Sequence, residues 1–246
     1  MVRRMAFALP QSLLALLLTV AVGGSAALAQ APAASPAEQP TPADAVDTSL
    51  SPECRVPGSK LYTLGPLRAV KRALKDSRAI QVLAIGSSST VGIGATSPAA
   101  AYPVRLEGEL EKLFPGIEIE VTNRGLSGEI AAGAAERIRN TIAEVEPDLV
   151  IWQVGTNDAL ARVDIETFAQ SLDETIKWIA SHRIDVVLVD PQYTASLARD
   201  QFHLNDLGYR CMAEHVARAI TLAVVEPEQG AVTAPTDATA AVTPTR

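Results

Sequence analysis

The sequence predicts a three-layer α/β/α domain built on a parallel β-sheet. Three observations carry this expectation. Short apolar runs alternate with stretches of helical periodicity, the pattern of successive βαβ units. The runs end in polar, glycine-containing turns. The stretch from 53 to 225 is also long enough to bury a sizeable core.

The elements follow in order. Gln81–Ile85 is an apolar run closed by Gly86 and reads as a buried strand. Leu106, Leu110, Leu113 and Phe114 recur at helical spacing, and Pro115-Gly116 ends that helix. Ile117, Ile119 and Val121 alternate as strand residues do. Ser127 is a candidate cap for a helix whose apolar face carries Ile130, Ala134, Ile138 and Ile142. Leu149–Val154 is a third strand. Ile165, Phe168, Leu172, Ile176 and Ile179 mark another helix, and Val186–Val189 a fourth strand. A final helix is expected over Asp206–Leu222.

The ends of the chain have a different character. Residues 1–29 read as a secretory signal peptide: Arg3 and Arg4 precede an apolar run at Leu13–Val22, and Ala27-Leu28-Ala29 is a cleavage pattern. The run is too short for a membrane span, so no transmembrane segment is expected after cleavage. Residues 30–52 are rich in Ala and Pro and are expected to form a flexible linker; 226–246 have the same character and are expected to be a disordered tail. Export to an oxidising compartment, periplasmic or secreted, favours pairing of the two cysteines, Cys54 and Cys211.

Composition removes several functions. The formal net charge is −7, which argues against nucleic acid or an anionic membrane as the main partner. Aromatics make up only 4%, too few for a base-stacking platform. The three histidines, His182, His203 and His215, offer no ligand pair at zinc spacing, and two cysteines are too few for a four-thiolate site. Gly86–Gly94 lacks the lysine of a phosphate-binding loop, and Gly92-Ile93-Gly94 is off-register for a dinucleotide fingerprint.

Ligands of parallel α/β sheets bind beyond the carboxyl ends of the strands. Those ends hold Gly86-Ser87-Ser88-Ser89, Asn123-Arg124-Gly125-Leu126-Ser127-Gly128 and Gly155-Thr156-Asn157-Asp158; Asp200-Gln201-Phe202-His203 comes near the C-terminus. This set suits nucleophilic acyl transfer. A serine hydroxyl needs a nearby base, an imidazole can serve, and a carboxylate can fix its tautomer. The developing oxyanion needs N–H donors aimed at it. Taken singly, Ser87–Ser89 and Asn157-Asp158 are ordinary capping residues and His203 an ordinary packing histidine. Their joint order is far more specific.

The four blocks resemble those of the SGNH hydrolases, the GDSL esterase/lipase superfamily, over about Leu61 to Ile220. The resemblance implies a flavodoxin-like fold and ester hydrolysis through an acyl-enzyme, with no cofactor and no metal. It implies Ser88 as nucleophile, His203 as base and Asp200 as its orienting acid. It places the oxyanion hole at the N–H groups of Ser88 and Gly125 and the amide of Asn157. Two departures stand out. Ser87 occupies the position of the family's usual Asp. Asn157 and Asp200 are only 43 positions apart, which predicts the loss of a strand–helix unit and an uncovered sheet edge. The leading expectation is therefore an exported serine esterase acting on small acyl or acetyl groups, with a small-molecule or carbohydrate ester as substrate. The alternative is a catalytically impaired descendant that binds an envelope carbohydrate or a protein partner.

Overall fold

Ile80–Gly86, the first strand (β1), has almost no polar side chain, and the fold explains why. In the computed structural model it lies inside a four-stranded parallel sheet of order β2-β1-β3-β4, where β2 is Ile119–Gly125, β3 Leu149–Gln153 and β4 Asp185–Val189. A parallel strand covered on both faces must be apolar throughout. The structure describes residues 47–56, 62–190 and 197–225. The expected signal peptide, the tail and most of the linker lie outside the described residues.

Side chains alternate across the sheet. Ile80, Val82, Ala84, Leu149 and Ile151 cluster with three helices on one face: α1 (Arg68–Lys75), α3 (Tyr102–Leu113) and α7 (Asp206–Val225). Leu83, Ile85, Val150 and Trp152 cluster on the other with α4 (Ala131–Val145) and α6 (Ile165–Ser181). Two short helices stand at strand ends: α2 (Ser88–Val91) after β1 and α5 (Thr156–Leu160) after β3. The expected three-layer arrangement is therefore present.

Two local expectations are corrected. Ser127 does not cap α4. That helix has Ile130 at its N-cap with no side-chain bond, and the first N–H, of Ala131, donates instead to the Asp158 carboxylate at 3.0 and 3.2 Å. The periodicity reading also passes over α1, whose N–H groups at Ala69 and Val70 donate to Asp185 Oδ2 at 2.8 and 3.0 Å. Burial raises the Asp185 carboxyl above its usual range despite those donors.

The sheet ends early. Among the described residues no strand or helix lies between β4 and α7, and β4 has no partner on its outer side. Leu188 on that edge is 44% exposed. The Asp200–His203 block follows almost directly, in a loop closed by an antiparallel bridge between Leu197 and Leu204.

Cys54 and Cys211 form a disulfide with their Cα atoms 4.9 Å apart. It fastens the entry segment to α7, and polar contacts extend the seam. Ser51 donates its N–H and hydroxyl to Glu214, Arg218 Nε donates to Asp47 at 2.7 Å, and buried His215 donates Nε2–H to the Cys54 carbonyl at 2.8 Å. The other ring nitrogen of His215, Nδ1, is hydrogen-bonded to the Tyr62 hydroxyl at 2.6 Å. Asp47, inside the stretch expected to act as linker, is thus docked on α7.

Candidate active site

Parallel pairing aligns the strand ends. Gly86 is in register with Gly125, and Ile85 with Trp152. The turns after β1, β2 and β3 therefore emerge side by side. Ser88 opens α2 directly after β1 and is 9% exposed. The preceding Gly86 has φ +152°, and a Cβ there would lie 2.6 Å from Thr90 Oγ1 and 2.7 Å from the Gln153 carbonyl. Only glycine fits so tight a turn.

The β2 end is locked against this turn. Asn123 Nδ2 donates to the Thr90 carbonyl at 2.7 Å, and Leu126 N–H to the Gly86 carbonyl at 2.8 Å. Gly125 lies so close to α2 that a Cβ would collide with the Val91 backbone nitrogen. Its own N–H donates to Asn123 Oδ1 at 2.9 Å. Gly128, in the same turn at φ +81°, has open space where a side chain would be, and its N–H has no acceptor among the described residues.

Asn157 stands in the turn after β3. Its Nδ2 donates to the Glu129 carbonyl at 2.9 Å, which fixes the amide and leaves its second hydrogen for another acceptor. Glu129 is itself held: its carboxylate takes two bonds from Arg137, which also donates to the Arg124 carbonyl at 2.7 Å. One guanidinium thus straps both ends of the 124–129 turn. Arg137 does not stand out in the sequence, since a lone arginine on a helix carries no local signal. Asp158 does, as part of the Gly155–Asp158 block, but which helix it caps has no sequence signature.

Asp200 and His203 meet directly, Oδ2 to Nδ1 at 2.6 Å. Asp200 Oδ1 also accepts the N–H groups of Phe202 and His203 at 3.1 and 3.0 Å. The bond to His203, with those two backbone N–H groups, pulls the Asp200 carboxyl down to about 2. The imidazole and the Phe202 ring stand nearly perpendicular, centroids 4.8 Å apart.

The histidine loop leans on the segment that follows α2. A Cβ on Gly94 would lie 2.5 Å from the Leu204 carbonyl and 3.0 Å from His203 Cβ. Tyr209 donates its hydroxyl to the Ile93 carbonyl at 2.6 Å; burial pushes that phenol up to about 12, so it stays a neutral donor. Thr96 donates its N–H to Asp206 at 2.8 Å. Ser88, Gly125 and Asn157 thus sit at the carboxyl end of the sheet, with the Asp200–His203 loop packed on the segment that follows α2. Among the described residues no hydrogen bond joins the Ser88 hydroxyl to His203; the two blocks are linked through residues 93–96. No cluster of metal-ligating side chains is present among the described residues.

A parallel sheet covered by helices on both faces, with polar turns gathered at its strand ends, defines the α/β class of the domain. The sequence matches the non-GDSL lipase-like family over residues 53–219. The chain belongs to this family, within the SGNH hydrolase superfamily. No curated protein matches it. Solved structures do. A two-domain esterase active on acetylated mannans, co-crystallised with mannopentaose, superposes with TM-score 0.56 at 19% identity, covering 68% of this chain and 57% of the esterase. TesA gives 0.52 at 17% identity, covering 58% of this chain and 98% of its own. The psychrotrophic esterase EstA from Pseudoalteromonas sp. gives 0.50 at 15%, covering 56% and 95%. At these identities the likeness is one of fold. The chain spans little more than half the length of the mannan esterase.

Proposed function

We propose that the protein is an exported serine esterase. Ser88 attacks the ester carbonyl, His203 Nε2 takes its proton, and Asp200 holds the imidazole in the tautomer that makes this possible. The proton then passes to the leaving alcohol, and water, activated by the same imidazole, releases the acid. The observation that carries the reading is the Asp200–His203 bond at 2.6 Å, in a loop packed on the segment after Ser88.

The oxyanion would lie between the Ser88 N–H, the free hydrogen of Asn157 Nδ2 and a glycine N–H from the β2 turn. The family pattern assigns the glycine to Gly125. Because that N–H already serves Asn123, the unengaged N–H of Gly128 is the better donor. Catalytic hydrogen bonds commonly tighten only when substrate is bound, so the open Ser88–His203 contact fits a resting site.

A small acyl group, acetyl above all, on a carbohydrate alcohol is the proposed substrate class. It rests on the fold neighbour active on acetylated mannans and on an open groove of about 610 Å³ beside the site. Ser127, Glu136 and Asn140 line that groove with polar groups free to bond hydroxyls. The signal-like start and the disulfide support a periplasmic or secreted location.

The test is labelling of the protein by a fluorophosphonate beside Ser88→Ala, with the adduct mapped by mass spectrometry. The expected result is an adduct at Ser88, none in the variant, and hydrolysis of acetyl esters that Ser88→Ala abolishes. A cooperatively folded protein that does not label would favour the second reading, a non-catalytic binding descendant. The β4 edge, which has no partner strand on its outer side among the described residues, is the observation that favours that reading.

A further inference from the structure

We propose, resting on the esterase reading, that Gln153 is a positioning residue for the nucleophile, acting through Ser87. Gln153 is the last residue of β3 and is 3% exposed. A buried amide has to find partners. Its Oε1 accepts both the N–H of Ser87, at 3.0 Å, and the Ser87 hydroxyl, at 2.8 Å. The orientation is forced, because an N–H only donates and so the amide oxygen must face it.

Ser87 is the residue immediately before the nucleophile and the N-cap of α2. Its hydroxyl makes no capping bond to that helix. The side chain that would ordinarily serve the helix is bound to β3 instead. One oxygen thus fixes both the backbone and the side chain of residue 87. The adjoining Gly86 touches the Gln153 carbonyl and Cβ closely enough to exclude a methyl group, so the turn cannot slide toward β3. Ser88 hangs from this tie by a single peptide unit.

Here too lies an account of the Asp-to-Ser departure at position 87. A serine hydroxyl can donate to the Gln153 oxygen, whereas an ionised Asp only accepts and could not make this bond. The Ser87–Gln153 pair is therefore a matched set. Displacing a reacting group by about 1 Å costs on the order of 100-fold in rate, which sets the scale of the expected effect.

The experiment compares wild type, Gln153→Met, Gln153→Glu, Ser87→Ala and the Ser87→Ala/Gln153→Met double variant. Each is measured for p-nitrophenyl acetate hydrolysis, fluorophosphonate labelling rate and melting temperature. Met keeps the length and loses the acceptor; Glu keeps an acceptor oxygen. Gln153→Met is expected to lower kcat and labelling about 10- to 100-fold, with KM within about twofold. Gln153→Glu is expected to stay within several-fold of wild type. The double variant is expected to lose less than the product of the two single losses, since both break the same tie.

Unchanged kcat and labelling in Gln153→Met, with only a lower melting temperature, would overturn the proposal. So would equal damage by Met and Glu, or fully multiplicative effects. Should Gln153→Met fail to fold, Ser87→Ala decides: it is expected to lower kcat several-fold at unchanged KM, and an unaltered kcat overturns the idea. A wild-type protein that neither labels nor hydrolyses overturns the esterase reading itself, an outcome distinct from active enzyme with an indifferent Gln153.

Discussion

Asp200 gathers three donors on its two oxygens, so a single side chain both shapes the 200–203 turn and orients His203. Its depressed pKa has a definite sign for pH dependence. A carboxylate held at about 2, below its ordinary 3.8, stabilises the turn above pH 3.8 and loses that effect as pH falls through 2. Asp200 therefore stays ionised across the working range, and any acidic limb above pH 4 in the rate profile belongs to another group. Replacing Asp200 with Asn tests its role. The amide oxygen can still receive the two backbone N–H groups, but an NH₂ then faces His203 Nδ1 and favours the wrong tautomer. In enclosed triads that change costs about 10⁴-fold in kcat. Asp200 is partly exposed, so a smaller loss, at least about 100-fold, is expected in steady-state ester hydrolysis. A loss below tenfold would remove Asp200 from the mechanism.

Helix N-termini show why some elements were legible in the sequence and others were not. The helix α6 carries its own cap, Asp164 accepting from Thr167 N–H at 3.1 Å. By contrast, α1 is capped by Asp185 and α4 by Asp158, acids distant in sequence that only the folded sheet brings near. That is why the sequence points to Ser127 as the cap of α4 and carries no signal for α1, which is short and has no local start signal. Apolar runs such as Val82–Ile85 and Val150–Trp152 were legible because burial on both faces leaves no polar alternation to blur them. The Asp200–His203 pair was legible because its partners lie three residues apart. The ties of Gly125 to Asn123, Asn157 to Glu129 and Ser87 to Gln153 were not, because hydrogen-bond direction has no sequence signature. The Asp158 cap makes a prediction at this scale. Asp158→Ala strands the Ala131 N–H and removes a negative charge from the start of α4, a cost of about 1–2 kcal/mol. In a domain of this size that lowers Tm by about 2–8 °C. Asp158→Asn is expected to recover most of it, because its Oδ1 still accepts. Thermal denaturation followed by circular dichroism distinguishes the two variants, and equal destabilisation by both would argue against a cap. Activity should follow, since residues 129–131 carry both the cap and the Glu129 carbonyl that holds Asn157.

Among the described residues the sheet stops at β4, which has no strand on its outer side, and no helix or strand lies between it and α7. Stability must come from elsewhere, and the largest single candidate is the disulfide. Cys54 and Cys211 are 157 positions apart, so their bond encloses almost the entire domain. Cross-linking so long a loop removes unfolded-state entropy worth up to about 5 kcal/mol, against the total of 5–15 kcal/mol typical of folded proteins. Reinforcement comes from the Ser51–Glu214, Asp47–Arg218 and Cys54–His215 contacts, which depend on the entry segment staying in place. The site, by contrast, lies on strand ends and on the loop between Leu197 and Leu204, outside the bonded seam between the entry segment and α7. Reduction, or a paired Cys54→Ser/Cys211→Ser variant, is therefore expected to lower Tm by up to about 10–20 °C. Ester hydrolysis at 25 °C should persist as long as the reduced protein remains folded. Thermal melts of oxidised and reduced protein, each with a parallel activity measurement, check both halves. A melting temperature unmoved by reduction would show that the polar seam on α7 suffices alone. Loss of activity while the protein is still folded would show that the entry segment reaches the site through α7 and the Tyr209–Ile93 bond.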